Sequence, residues 1–245
     1  MKNISRFLAV ALLLTLLFVT TVLAQEDGYK IPADALKALV DAPFAPSVSV
    51  SPDGKLLMLM SRESLPGIEE LAQPELRIGG MRINPRNNGP SRSSYNTGIV
   101  ISEISTGKET SVSGVPSDGK ISNVSWSPDG VHIAFTVSFS DRIELFLADA
   151  KSGSSRRLID SPLNAVQGGA YTWLPGGKVL LARVVSPSRG SMPIEPTLPT
   201  TPVIQENIGK AAPARTYQDL LTTPFEEDLL EWMLASDVVN VSVSG

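Results

Sequence analysis

Few residue types that do chemistry are available in this chain. It has one histidine, His132, and no cysteine. Serine hydrolysis needs a serine on a sharp turn, a histidine to take its proton and a carboxylate to orient that histidine. No Gly-x-Ser-x-Gly pentapeptide occurs among the 245 residues. The nearest run, Gly153-Ser154-Ser155-Arg156-Arg157, lacks the second glycine and falls at a turn between strands. His132 follows Val131 and precedes Ile133 in an alternating strand, which reads as an exposed or hydrogen-bonded strand residue. One histidine without cysteine leaves no ligand set for a transition metal. Asp53 and Asp129 have the side chain of a calcium ligand, but each sits in a tight turn where aspartate bonds its own loop. Glu226, Glu227, Asp228 and Glu231 could hold a cation or the basic end of a substrate. The same residues complement a helix N-terminus equally well. Arg77, Arg82, Arg86 and Arg92 could bind a carboxylate if they converge. Trp126, Trp173 and Phe135 read as packing residues rather than a ligand cage. No glycine-rich phosphate loop is present. The residues thus predict no catalytic, cofactor-binding or metal site and no cofactor.

The elements around these residues form a repeat. Ser-Pro-Asp-Gly occurs at 51–54 and 127–130, each time between apolar alternating runs, and Leu174-Pro175-Gly176-Gly177 is a degenerate third copy. Proline presets φ, aspartate closes the loop and glycine accepts positive φ. In the second copy Val124 and Trp126 precede the turn, and Val131, Ile133, Phe135 and Val137 follow it with period two. A third run spans Ile143 to Asp149, a Lys151-Ser152-Gly153 turn follows, and a short fourth run lies near Arg157 to Asp160. Four short antiparallel strands in about 40 residues make one propeller blade.

The expectation is an all-β chain: a partial β-propeller of about two and a half four-stranded blades. Blade 1 covers about 46–114 with an insertion at 62–97, blade 2 about 120–160, and a partial blade 3 about 168–245 with an insertion at 186–235. The second insertion is helical and irregular. Its prolines make 186–214 extended, and two short helices follow. Thr216 and Asp219 resemble a capping box before Leu220 and Leu221. Thr223 caps a second helix, with Pro224 in its first turn and Phe225, Leu229, Trp232 and Met233 on one face. A strand resumes from Asp237 to Ser244.

Residues 1–24 read as a secretory signal peptide. Lys2 and Arg6 precede an apolar stretch from Phe7 to Ala24, and Val22-Leu23-Ala24 offers small residues before Gln25-Glu26-Asp27. The rival is an uncleaved anchor, because the stretch nearly spans a bilayer. Cleavage would leave 25–245 exported, periplasmic or extracellular, with no stable membrane insertion. Removing Lys2 and Arg6 leaves 19 basic residues of the original 21 against 25 acidic ones, a charge of −6. No basic face is evident, which excludes nucleic acid as a partner. Without cysteine, stability rests on packing.

The blades resemble the degenerate PD40-type repeats of exported bacterial propellers, and the insertions narrow the resemblance. Pro74-Glu75-Leu76-Arg77-Ile78-Gly79-Gly80-Met81-Arg82-Ile83-Asn84-Pro85, continuing through Asn87, Asn88 and Arg92, is similar to a segment of the glutamyl endopeptidase-like branch of the prolyl oligopeptidase superfamily of serine peptidases. So are Ala214 to Leu221 with Glu226-Glu227-Asp228, and the opening Tyr29 to Pro43 and Pro46 to Gly54. The resemblance implies a propeller of about seven blades followed by an α/β-hydrolase domain carrying a Ser-Asp-His triad. This chain would then be a non-catalytic N-terminal portion, inactive alone. Its partners would be a C-terminal hydrolase domain and, through the complete enzyme, peptide substrates gated or selected by the propeller. Arginines binding a carboxylate would suit acidic peptides in such a relative. The alternative is a stand-alone envelope propeller acting as a protein-interaction module. An open stack of blades exposes a face at each end, so the chain alone is expected to associate or dissolve poorly.

Overall fold

A computed structural model of the protein describes residues 31–198, 209 and 219–244. The expected signal peptide, Thr216 and most of the proline-rich stretch lie outside the described residues. Among the described residues no helix is long and apolar enough to cross a membrane. The chain divides into two units, Met1–Ala42 and Pro43–Gly245. The described part of the first is helix α1 (Asp34–Asp41), with Leu36 and Leu39 exposed.

The second unit is mostly antiparallel sheet. β1 (Ser47–Val50) and β2 (Leu56–Arg62) are followed by an excursion of one helical turn, α2 (Ile68–Leu71), and a small ribbon. The ribbon strands are β3 (Leu76–Ile78), β4 (Met81–Asn84) and β5 (Gly89–Pro90). β6 (Asn96–Glu103) and β7 (Glu109–Ser111) return to the first sheet, where β2 pairs with β6 and β6 with β7. The second sheet is β8 (Lys120–Trp126), β9 (His132–Ser138), β10 (Ile143–Asp149) and β11 (Ser155–Arg157), each paired with the next. Asn96 with Ile121 and a bridge from Ser113 to Ser154 join the two sheets. The third sheet orders β12 (Tyr171–Trp173), β13 (Val179–Val185) and, after helix α3 (Pro224–Leu234), β14 (Ser236–Ser242). The mostly β character and the strands of the three main sheets follow the sequence pattern, whereas the ribbon strands β3 to β5 fall in a segment expected only as an insertion.

The two Ser-Pro-Asp-Gly turns are built alike. In each, the buried serine hydroxyl donates to the aspartate, Ser51 to Asp53 at 2.7 Å and Ser127 to Asp129 at 2.6 Å. The same oxygen accepts the N–H of the returning strand, from Leu56 and His132, both at 2.9 Å. Gly54 and Gly130 take φ of 71° and 72°, where a side chain is strained. Successive turns also touch: a Cβ on Gly130 would lie 3.5 Å from Pro52, and one on Gly177 would strike the Asp129 carboxylate at 2.7 Å. Lys178 adds an ion pair to Asp129 at 3.4 Å.

The core explains why β9 and β10 are almost continuously apolar. One face of the second sheet, with Ile133, Phe135, Val137 and Phe146, packs on Met58, Ile99 and Ile101 of the first. The other face, with Ala134, Leu145 and Leu147, packs on Leu180, Ala182, Val184 and Val241 of the third. Phe135 stacks on Phe146 at 5.7 Å, so its role is packing. The third sheet is also tied to the second by polar bonds. Asn123, at φ 47°, lies within a bulge of β8 that receives the Tyr171 hydroxyl. Trp173 Nε1 donates to Ser125 Oγ at 3.2 Å, which in turn lies 2.9 Å from the Tyr171 hydroxyl. A phenol has one proton, so a chain from indole through Ser125 to Tyr171 and on to a strand carbonyl satisfies every member.

The two excursions meet. Ile78 and Ile83 of the ribbon form one cluster with Val166 and with Leu229 and Met233 of α3. Thr223 caps α3 as expected, accepting from Glu226 N at 3.2 Å, and Glu226 reaches back to Thr223 N, which completes a capping box. Arg189 lies 3.6 Å over the Trp232 ring and donates to Asn88 at 2.8 Å. The expected helix at Leu220 and Leu221 is absent: Asp219 is left-handed at φ 58°, and neither leucine lies in a helix or strand. Helical φ is negative, so a left-handed residue blocks propagation into them.

Ser127→Ala should lower unfolding stability by about 1–3 kcal/mol, because it removes a fully buried hydroxyl that bridges Asp129 and His132 N–H. Urea denaturation should show a lower midpoint at unchanged slope.

Candidate functional site

His132, Asp149, Ser154 and Ser155 line one depression of about 250 Å³. They form no triad. His132 Nδ1 is buried without a hydrogen-bond partner, so no carboxylate orients the ring through that nitrogen. His132 is a half-buried strand residue whose backbone N–H bonds Ser127 Oγ. Asp149 Oδ1 accepts from Ser152 N at 2.7 Å and Ser152 Oγ at 2.8 Å, which holds its pKa below the usual carboxylate range. Ser155 Oγ donates to the Ser113 carbonyl at 2.6 Å. Asp53 and Asp129 are turn residues with lowered pKa, chiefly through Ser51 and Ser127. Among the described residues no group of three acidic or histidine side chains is placed to hold a metal.

The topology places tight turns on one rim and excursions on the other. The β1–β2, β6–β7, β8–β9, β10–β11 and β12–β13 turns share the first rim. The excursions leave from Arg62 and Val185 and return at Asn96 and Ser236 on the opposite rim. That rim contains a cleft of about 590 Å³ between the 62–70 segment, residues 93–97 and residues 117–120. Inside it Lys120 donates to the buried Glu70 at 2.8 Å and lies 5.3 Å over the Tyr95 ring. Burial, then the Glu70 charge, raises the Tyr95 pKa. Nothing in the sequence singled out these three residues. Glu70 and Lys120 are 50 positions apart, and only the excursion brings them together.

Three of the four arginines noted in the sequence do converge. They converge on the chain's own Glu75: Arg77 at 2.7 Å, Arg92 at 3.3 Å and Arg82 at 3.7 Å. Ser91 Oγ donates to the same carboxylate at 2.6 Å. This hydrogen bond first, then Arg77, lowers the Glu75 pKa from 4.5 to about 2. Arg86 is exposed and takes no part. Of the acidic residues on α3, Glu226 is consumed by capping, with Thr222 Oγ1 donating to it at 2.7 Å.

A carboxylate with a depressed folded pKa stabilises the fold above its unfolded pKa and loses that contribution as pH falls through the folded value. Glu75→Gln should therefore be less stable than the parent at neutral pH. The gap should close as pH falls from about 4.5 to about 2, followed by chemical denaturation at each pH.

No family model matches the chain. It is 35% identical over 232 residues to a probable glutamyl endopeptidase, chloroplastic, of Oryza sativa subsp. japonica, covering 89% of this chain and 24% of that protein. It is 33% identical over 236 residues to the protein of the same description from Arabidopsis thaliana, covering 91% of this chain and 24% of that one. Among solved structures, the acylaminoacyl peptidase of Pyrococcus horikoshii superposes with TM-score 0.36 at 17% identity, covering 60% of this chain and 18% of that chain. TolB from Acinetobacter baumannii superposes with TM-score 0.27 at 16% identity, covering 63% of this chain and 40% of that chain. Likenesses this loose carry no argument. The chain thus spans about a quarter of the length of the curated relatives it matches, and over that span its homologues are proteins described as probable glutamyl endopeptidases.

Proposed function

We propose that the three stacked sheets are blades of a β-propeller and that this chain is the propeller portion of a serine peptidase. The single observation that supports this is the division of labour between rims. Repeating, hydrogen-bonded turns hold one rim. On the other, two separate excursions pack together, and the first of them borders a cleft of about 590 Å³. An ornamented rim over a repeating scaffold is where loops carry function. In this reading the excursion rim meets peptides and gates or selects them for a hydrolase domain carried by the remainder of a longer protein. Export of the chain, read from residues 1–24, belongs to the same proposal.

The chemistry follows from what is present. Without a serine elbow, and with the one histidine unoriented at Nδ1, residues 25–245 bind and position but do not cleave. Serine-directed fluorophosphonate should leave the purified chain unlabelled, and a quenched peptide substrate should not be turned over. Labelling at any serine would overturn the division into scaffold and separate catalyst. Fluorescein-labelled unstructured peptides should still bind, and Lys120→Ala should weaken that binding by at least about tenfold if the Glu70–Lys120 cleft receives them.

A further inference from the structure

β3 and β4 place Arg77 directly opposite Arg82. Like charges facing each other across an antiparallel pair are destabilising. Their neighbours Leu76, Ile78, Met81 and Ile83 alternate to the other face and enter the cluster with α3. The arginine pair is therefore held together by burial of the strand's opposite side. Arg92, left-handed at φ 52°, adds a third guanidinium on the same carboxylate. Glu75 compensates only part of this charge. Asp219 acts on Arg77 at longer range, so three cations face two acids.

The fit to an anion is geometric as well as electrostatic. Glu75 is almost buried, at 10% exposure, whereas the three arginine side chains are 47–51% exposed. The carboxylate thus occupies the inner side of the cluster. Arg77 and Arg92 reach it through Nε, and Arg82 through one terminal nitrogen. A guanidinium carries five N–H groups in a fixed fork, so most of these donors remain on the solvent side. Glu75 and Ser91 act as an internal clamp that orients the donors before any ligand arrives.

We propose that the solvent face of this ribbon, Arg77, Arg82 and Arg92 around Glu75, is a binding site for a small oxyanion, the chemistry shared by a carboxylate and a phosphate. The site stands independently of the peptidase reading. It lies on the ribbon's solvent face and uses none of the residues of the Glu70–Lys120 cleft.

The test titrates the full chain with inorganic phosphate and, separately, with glutarate, at ionic strength held constant with sodium chloride. Calorimetry and the arginine Nε–H resonances supply the readout. One or both anions should bind saturably at one site per chain, shifting the Arg77 and Arg92 Nε–H signals. Phosphate alone binding identifies a phosphate source, and glutarate alone a carboxylate. Arg82→Gln and Arg92→Gln should each weaken binding by about tenfold or more, as expected for loss of a charge-assisted pair. Arg86→Gln, on the exposed turn of the same ribbon, should leave it unchanged. Should Arg82→Gln disturb the ribbon, seen as altered near-UV circular dichroism, Arg92→Gln carries the test, since Arg92 lies outside the strand pair. No saturable binding beyond sodium chloride alone, or undiminished binding in a folded Arg92→Gln variant, would overturn the proposal.

Discussion

The second sheet is apolar on both faces, and most of the unit follows from that constraint. β9 and β10 bury Ile133, Phe135 and Val137 on one side and Ala134, Leu145 and Leu147 on the other. A sheet of this kind must be covered twice. The first and third sheets are the two covers, each with one face inward and one outward. Val48 and Val50 of the first and Val238 of the third are exposed on the outward faces. The one charged group buried in β10 is paired locally. Glu144, buried within β10, is held by Arg142 at 2.7 Å and Arg157 at 3.1 Å. Leaving that charge unpaired would cost far more than the pair contributes.

Stacking fixes the relation of the sheets, and the turns fix their ends. A buried serine hydroxyl bonded to its own aspartate sets the start of the returning strand. Glycine at positive φ then allows the next turn to approach. The third copy keeps the second glycine and loses the serine and aspartate. It uses Lys178 and the Gly177 contact to remain against Asp129. With one rim occupied by these close contacts, long insertions are accommodated at the other. There they bury an apolar face of their own, shared between the ribbon and α3.

Legibility varied with the range of the interaction. The β10 strand, its Lys151-Ser152-Gly153 turn and the Thr223 cap of α3 were readable because each depends on residues within a few positions of one another. The turn role of Asp53 and Asp129 was readable for the same reason. The helix expected at Leu220 and Leu221 failed because Asp219 takes a left-handed backbone while Gly80 N–H bonds its carbonyl at 2.9 Å, a contact 139 positions away in sequence. The unpartnered nitrogen of His132 and the Tyr171 bridge into the β8 bulge have no local signature either.

By itself the sequence determined the strands of the three main sheets, where they turn, and that one histidine without a serine elbow provides no catalytic triad. Local propensity and period-two burial act over neighbouring residues, and a sequence states neighbours directly. Only the tertiary structure decided that the two excursions pack on each other, that Glu70 meets Lys120, and that three scattered arginines share Glu75. Those contacts arise when apolar faces far apart in the chain are buried together. Convergence of charge is a consequence of that burial rather than of spacing.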